Sequence, residues 1–275
     1  MATLYVVATP LGNLADLSPR AADCLRRVAV VAAEDTRRTR GLLAHLDARP
    51  QLLSFHAHSG PRRTEVLLEI LSEGRDVALV TDAGTPGVSD PGPELVEAAR
   101  KAGFPVVPIP GASAVTAGLS ASGLPADRYL MLGFVPRKGA DRVRLLTRAV
   151  EEEWPAVFFE APGRLAALLR DLARIAGPDR RAVVARELTK LHEEFRDGTL
   201  TELADYYSRE QPKGEITLIL AGTGVPPAPA DRSQEALALA RRLLDDGVSR
   251  REAAHRVAAE LGLPRNEAYR LVMEL

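Results

Sequence analysis

Short runs of β-branched and apolar residues alternate with helical stretches from the start of this chain, and that alternation restricts its fold more than any other feature. Leu4–Thr9 reads as a strand, Val28–Ala33 as a second and Gln51–His56 as a third. Thr64–Leu71 carries helical periodicity, and Asp76–Thr81 and Pro105–Ile109 read as further strands. Ser18-Pro19 is a helix start, a capping hydroxyl followed by proline at the first helical position. Together these predict an α/β layer with a largely parallel sheet. The pattern resets after Gly123-Leu124-Pro125. Tyr129–Val135, Ala156–Glu160, Arg181–Glu187 and Ile216–Leu220 are then strands, with helices at Arg142–Glu152, Leu165–Ile175 and Leu200–Arg209. We therefore expect a boundary near Ser122, with one α/β domain over 1–121 and another over 122–224. Val225-Pro226-Pro227-Ala228-Pro229-Ala230 reads as a stiff proline linker. Beyond it, 231–275 is helical throughout. A capping box at Ser249-Arg250-Arg251-Glu252 and a break at Gly262-Leu263-Pro264 before a helix over Asn266–Leu275 suggest a helix-turn-helix-like unit. Such a unit serves either nucleic-acid contact or packing, and fold alone does not separate the two.

The chain has 275 residues, enough for two modest domains, and a formal net charge of -1. That balance predicts neither a polyanion-wrapping protein nor an acidic tail. Its basic residues are nearly all arginine, with lysine only at Lys101, Lys138, Lys190 and Lys213. Arginine grips phosphate in a bidentate way that lysine cannot, so clustered arginines are candidate nucleic-acid contacts. A single cysteine, Cys24, excludes an internal disulfide and a Cys-cluster metal site. There is no long apolar span, and the chain enters a strand at once without a signal-peptide pattern. The expectation is a soluble, cytoplasmic protein with no membrane contact.

The strand ends carry the chemistry. Thr81–Pro93, reading TDAGTPGVSDPGP, interleaves Gly84, Gly87 and Gly92 with Pro86, Pro91 and Pro93. Glycine lets a ligand approach the backbone, and proline removes the looseness that glycine brings. Open α/β sheets hold ligands at this end of their strands. Asp82 and Asp90 in this loop can each accept from ribose hydroxyls or a ligand ammonium; a rigid surface connection is the plainer alternative. Ala8-Thr9-Pro10-Leu11-Gly12-Asn13 lacks the glycines of a dinucleotide fold, and no phosphate-binding G-x-x-x-x-G-K-[ST] occurs. In Pro110-Gly111-Ala112-Ser113-Ala114, Ser113 either caps the next helix or bonds a ligand. Glu34-Asp35-Thr36-Arg37-Arg38-Thr39 is either an exposed salt-bridge cluster or a device that orients a phosphodiester. His56 and His58 point to one side by strand alternation, but no third ligand stands at a metal-binding spacing, so no metal is expected. Charged groups in Phe159–Arg164, Ala185–Lys190 and Lys213-Gly214-Glu215 again fall at strand ends, which favours one cleft shared by the two domains.

Taken in order, TPLGNL, EDTRRT, SFHAH, TDAGTPGVSDPG, PGASA, FEAPGR, ARELTK and KGE strongly resemble the ribosomal RNA small-subunit methyltransferase I family, a branch of the tetrapyrrole methylase superfamily. The resemblance covers Leu4–Gly222, and the tail is similar to the family's helical C-terminal region. It implies a two-domain tetrapyrrole-methylase-like α/β fold with parallel and mixed sheets, a small helical C-terminal unit and a homodimeric assembly. It also implies transfer of a methyl group from S-adenosyl-L-methionine to the ribose 2′-oxygen of a cytidine in the decoding region. Small-subunit rRNA, free or in the small ribosomal subunit, is the implied partner. Carried over by position, the implied cofactor contacts are Pro10, Asp82, Ala83, Gly84, Ser113, Ala114, Glu160, Leu188 and Thr189. The chain departs from the family pattern around His58, which is flanked by Ala57 and Ser59, and at Gly163.

A sulfonium methyl is already electrophilic, so such an enzyme mainly aligns the ribose hydroxyl and assists its deprotonation. His56, Glu34, Asp35, Arg37 and Lys190 are the candidates for that assistance. Arg37, Arg38, Arg62, Arg63, Arg137 and Lys138 should form a local basic surface for RNA. Two other readings stand beside this one. A tetrapyrrole C-methyltransferase would share fold and cofactor, though EDTRRT and FHAH favour the RNA branch. A non-enzymatic nucleic-acid-binding regulator would explain the C-terminal helices but leave the Gly/Pro loops idle.

Overall fold

A computed structural model describes residues 1–224, 233–261, 263, 265–273 and 275 of the chain. It divides into two compact units, Met1–Pro226 and Pro227–Leu275. The proline linker over 225–230, Asp231, and the Gly262 and Pro264 of the last turn lie outside the described residues.

The first unit contains two five-stranded sheets. The first sheet is built from β1 (Leu4–Val7), β2 (Val30–Ala33), β3 (Gln51–Ser54), β4 (Val77–Val80) and β5 (Val106–Ile109) in the order β3-β2-β4-β1-β5. Each of its pairings is parallel. Parallel neighbours need crossover helices, and those helices cover both faces. Strand alternation divides the core accordingly. Val7, Val31, Ala33, Ala78 and Val80 face α1 (Pro19–Arg27) and α2 (Thr36–His45), meeting Ala21, Leu25 and Leu43. Leu4, Val30, Ala32, Val77 and Leu79 face α3 (Gly60–Ser72) and α4 (Pro93–Lys101), meeting Leu67, Leu71 and Leu95. Ser18 caps α1 by accepting the Ala21 N–H, as the Ser-Pro pair predicts.

The second sheet comprises β6 (Leu130–Phe134), β7 (Ala156–Glu160), β8 (Arg181–Arg186), β9 (Glu194–Thr199) and β10 (Ile216–Leu220), in the order β6-β7-β10-β8-β9. Only β6 and β7 pair in parallel; β10 runs antiparallel between β7 and β8, and β9 is an antiparallel edge. One face packs on α6 (Ala140–Glu151), α7 (Leu165–Ala176) and α8 (Leu200–Arg209). The other receives α5 (Ala114–Ala121), the helix that follows β5, with Val115 and Leu119 against Val157, Val183 and Ile219. The two sheets are therefore joined by a buried apolar seam. Sequence reading misses β9, because EFRDGT has no apolar alternation. It forms because β8 offers a free edge, and its charged side chains suit an edge position.

The second unit contains α9 (Ser233–Asp245), α10 (Arg250–Leu261) and α11 (Arg265–Met273) around a core of Ala240, Ala253, Val257, Ala268 and Val272. The Ser249 hydroxyl accepts the Glu252 N–H at 3.3 Å, one half of the expected capping box. Among the described residues no helix is long and apolar enough to cross a membrane.

Candidate active site

In a parallel sheet all strands finish at one edge, so Ala8-Thr9, Glu34-Asp35, Phe55-His56, Thr81–Gly84 and Pro110–Ser113 emerge side by side. Two backbone hydrogen bonds between Thr9 and Gly84, at 2.8 and 3.0 Å, stitch the β1 loop to the Gly/Pro loop. Gly84 has φ +82°, which explains glycine there. The Thr9 hydroxyl donates to the Thr81 carbonyl, and the Thr85 hydroxyl to the Ala112 carbonyl. The three loops are one rigid wall.

The second sheet presents its own functional edge. Register places the ends of β6, β7 and β8 beside the starts of β9 and β10. Val135–Lys138, Ala161–Arg164, Glu187–Lys190 and Lys213–Glu215 share that edge. It meets the first sheet's edge at Gly12, where a Cβ would lie 2.2 Å from the Lys190 Cγ. A side chain there would have to displace Lys190 from its place between Glu187 and Glu215. Between the edges a cavity of about 40 Å³ is lined by Leu11, Gly84, Asp90, Ser113, Ala114 and Phe159 among others. It is small beside whole ligand pockets, which run to roughly 300–1,000 Å³. A larger depression of about 510 Å³ beside Arg128 and Trp154 lies at the opposite end of the second sheet, away from these loops.

Several candidate residues are already engaged. The Asp35 carboxylate caps α2 through the Arg37 N–H and grips the Arg37 guanidinium at 2.7 and 3.1 Å. Those bonds hold its pKa down at about 2 and raise that of Arg37. The Asp82 carboxylate accepts the Asp35 N–H at 3.0 Å and stands 3.6 Å from Arg38, while the Asp82 N–H donates to Glu34 at 3.3 Å. Lys190 lies 2.8 Å from Glu187 and 3.1 Å from Glu215. Burial alone would lower the Lys190 pKa; the two carboxylates outweigh it and raise it. His56 is exposed and accepts the His58 N–H at Nδ1, 3.1 Å away, so the neutral ring carries its proton on Nε2. The two histidine rings are 6.3 Å apart. Among the described residues no three His, Cys, Asp or Glu side chains gather as a metal site.

Glu160 is almost fully buried at the end of β7, and desolvation raises its pKa despite the Ala161 N–H at 2.8 Å and Arg164 at 3.2 Å. Arg164 also donates to the Val135 carbonyl, tying the β6 and β7 loops together. Arg137 and Lys138 are exposed in the former loop; Arg62 is exposed and Arg63 half-buried in the first turn of α3. Sequence reasoning did not single out Leu11, Phe159 or Glu187. Leu11 and Phe159 are apolar residues with no motif of their own, and Glu187 is marked only by its place at a strand end.

The residues present fit S-adenosylmethionine. Small side chains at Ala83, Gly84 and Ala114 leave backbone accessible beside the cavity, Pro10 stiffens the loop opposite, and the Ser113 hydroxyl does not cap α5. At the adjoining edge, next to the buried Leu188, the buried Thr189 Oγ1 has no hydrogen-bond partner among the described residues. A buried hydroxyl without a partner is costly unless a ligand completes it.

A family model described as Tetrapyrrole (Corrin/Porphyrin) Methylases matches residues 3–204. A Synechocystis protein named ribosomal RNA small subunit methyltransferase I is 44% identical over 275 residues, covering 100% of this chain and 99% of its own. The chain belongs to that methyltransferase I family, within the tetrapyrrole methylases. Xylella fastidiosa has a relative of the same name that is 46% identical, with 97% of each chain covered. Another methyltransferase I, from Thermotoga maritima, is 44% identical over 222 residues, 81% of this chain but 99% of its own. Among solved structures, the methyltransferase CobJ superposes with a TM-score of 0.64 at 19% identity, covering 81% of this chain and 95% of its own. Uroporphyrin-III C-methyltransferase from Thermus thermophilus, complexed with S-adenosylhomocysteine, gives 0.58 at 22%, covering 80% and 97%. These two establish the shared tetrapyrrole methylase fold.

Proposed function

We propose that this chain transfers a methyl group from S-adenosylmethionine to the ribose 2′-oxygen of a cytidine in the decoding region of small-subunit rRNA. The observation that carries the reading is the meeting of the two strand-end edges around Gly84, Ser113 and Phe159 in a chain whose curated relatives bear the methyltransferase I name. When bound, the cofactor supplies an electrophilic methyl group. Ala83, Gly84, Ser113, Ala114, Leu188 and Thr189 would hold it, with Pro10 and Glu160 bounding the site. The chain's own work is then to bring the ribose to that cleft and exclude water.

Arg62, Arg63, Arg137 and Lys138 suit the RNA path, because among the described residues no ion pair neutralises them. Arg37 and Arg38 are each shared with a carboxylate and contribute less net charge. The working particle is read as a cytoplasmic homodimer, supported by exposed Val88 near the cleft and by the apolar groove over Val6, Val96 and Val106. Sedimentation would return a monomer if that is wrong. Mass analysis of rRNA from a deletion strain tests the substrate. Loss of one cytidine ribose methyl supports it; intact rRNA with altered porphyrin intermediates would favour the C-methyltransferase alternative.

A further inference from the structure

We propose that Phe134 is the platform on which the base of the target cytidine stacks while its ribose occupies the cleft. The assignment rests on the ribose reading above and deepens it by naming the surface that receives the base. A 2′-hydroxyl reaches a methyl group held between the two strand-end edges only if its nucleotide leaves the RNA stack. The displaced base then loses its neighbours, and an aromatic side chain at the mouth of the cleft replaces them.

Phe134 ends β6 at the functional edge of the second sheet and is 61% exposed, whereas the other phenylalanines are buried or half-buried. An exposed apolar side chain is ordinary on a protein surface; what singles this one out is its aim. Met131 packs on the α5 side of the sheet with Val157 and Phe159, and Leu132 on the opposite side with Phe158 and Leu165. Strict alternation would turn Phe134 to the Leu132 side, under α6 and α7. The register with β7 shifts between Met131 and Gly133, where Gly133 takes φ +65°, and Phe134 falls opposite Phe159 instead. Such a bulge sends the following side chain to the other face and recurs beside active sites, where it re-aims a residue. The Phe134 and Phe159 rings lie 5.6 Å apart and tilted by 58°, and Phe159 lines the cavity with Gly84 and Ser113. Phe134 is therefore the exposed member of an aromatic pair whose inner member belongs to the cleft.

The segment around the ring is rigid and its charge suits a nucleotide. A Cβ on Gly133 would lie 2.9 Å from the Ser89 Oγ, so the end of β6 bears directly on the Gly/Pro loop. Val135 is buried. Arg164 donates to the Val135 carbonyl at 2.6 Å, and Arg142 to the Pro136 carbonyl at 3.0 Å. Each arginine is fixed in turn by a carboxylate, Glu160 at 3.2 Å and Asp171 at 2.7 Å. Arg137 and Lys138 follow, exposed and without an ion pair among the described residues. A nucleotide matches this order, with its base on the ring and the neighbouring phosphates on the cations.

Single-turnover methylation of small ribosomal subunits that lack the modification tests the platform. Phe134→Ala and Phe134→Leu should each raise the half-saturating subunit concentration by roughly 10-fold or more, because leucine keeps apolar area but offers no ring face. Phe134→Trp should stay within about threefold of wild type, since an indole stacks as well. The maximal rate should change by less than about threefold, because stacking holds ground state and transition state alike. Stacking releases no counterions, so the salt dependence of Phe134→Ala should keep its wild-type slope, unlike that of a variant lacking Arg137 and Lys138. S-adenosylmethionine affinity by calorimetry and the sedimentation of Phe134→Ala should both match wild type. A Phe134→Leu enzyme that saturates like wild type overturns the assignment, since apolar contact alone would then suffice. So does a Phe134→Ala protein that sediments as a smaller species than wild type, which gives the ring to a second copy of the chain. Loss of cofactor affinity in Phe134→Ala overturns it as well. Wild-type enzyme that leaves the ribose unmethylated overturns the substrate reading and this assignment together, a result distinct from the failure of Phe134 alone.

Discussion

The Asp82 carboxylate accepts the backbone N–H of Asp35 at 3.0 Å, tying the loop that leaves β4 to the residue that caps α2. That bond crosses between neighbouring strands β2 and β4 and sets where Arg37 and Arg38 begin their helix. Asp82→Ala should cost about 1.5–3 kcal/mol in urea denaturation, the scale of a hydrogen bond to a charged acceptor. Cofactor affinity should fall with it, by about tenfold, because the wall of the cleft loosens. Asp82→Asn, which keeps an acceptor oxygen, should recover part of both. Unchanged stability in Asp82→Ala would show that the bond is not formed in solution.

Ser113 occupies the cap position of α5 without capping it. Ser113→Ala should therefore leave stability within about 0.5 kcal/mol, as at a site free of structural features. Its effect should appear in calorimetry as a cofactor affinity weakened by about fivefold, one hydrogen bond's worth. A stability loss with unchanged affinity would return the residue to a structural role.

The pH dependence of stability has two parts of opposite sign. The folded Asp90 carboxyl titrates at about 6 against an ordinary 3.8, so its contribution is fully present below 3.8 and is lost as pH rises through 6. Asp90→Asn should raise the melting temperature above pH 7 by about 2–4 °C, corresponding to about 1 kcal/mol for this half-exposed group, and the gain should vanish near pH 4. Asp35 runs the other way. Its folded value near 2 means a contribution present above 3.8 and lost as pH falls towards 2. Thermal melts of wild type and Asp90→Asn across this range check both signs.

Arg62 and Arg63 begin α3 at the functional edge of the first sheet, and Arg137 and Lys138 stand at that of the second. Replacing either pair with alanine should weaken rRNA binding and flatten its salt dependence by roughly 0.7 for each phosphate no longer neutralised. Arg37→Ala should flatten it less, since its charge is already shared with Asp35. Filter binding across a salt series reads the slopes directly, and S-adenosylmethionine affinity should be spared in all three.

Much of this protein is written locally. Runs such as Val30–Ala33, Val77–Val80 and Ile216–Leu220 are buried throughout, so β-branched apolar residues alone mark them as strands. The Gly/Pro loop, PGASA and the charged strand ends are legible for the same reason: each motif sits immediately after or before such a run. Element boundaries shift by up to four residues: β2 starts at Val30 rather than Val28, and α3 at Gly60 rather than Thr64. Tertiary structure decided the rest. Nothing local specifies that β4 inserts between β2 and β1 or that β10 inserts between β7 and β8, because strand order depends on which apolar faces fit together across the whole sheet. β9 exists only because β8 offers it an edge. The same holds for the chemistry. The residues of EDTRRT and ARELTK are plausible proton acceptors or cations when read singly. Folding places Arg37 on Asp35 and Lys190 between Glu187 and Glu215, so Coulomb attraction spends their charges on one another. Asp90 differs from its neighbour Asp82 only in what surrounds it, and burial among like charges is a property that no stretch of sequence contains.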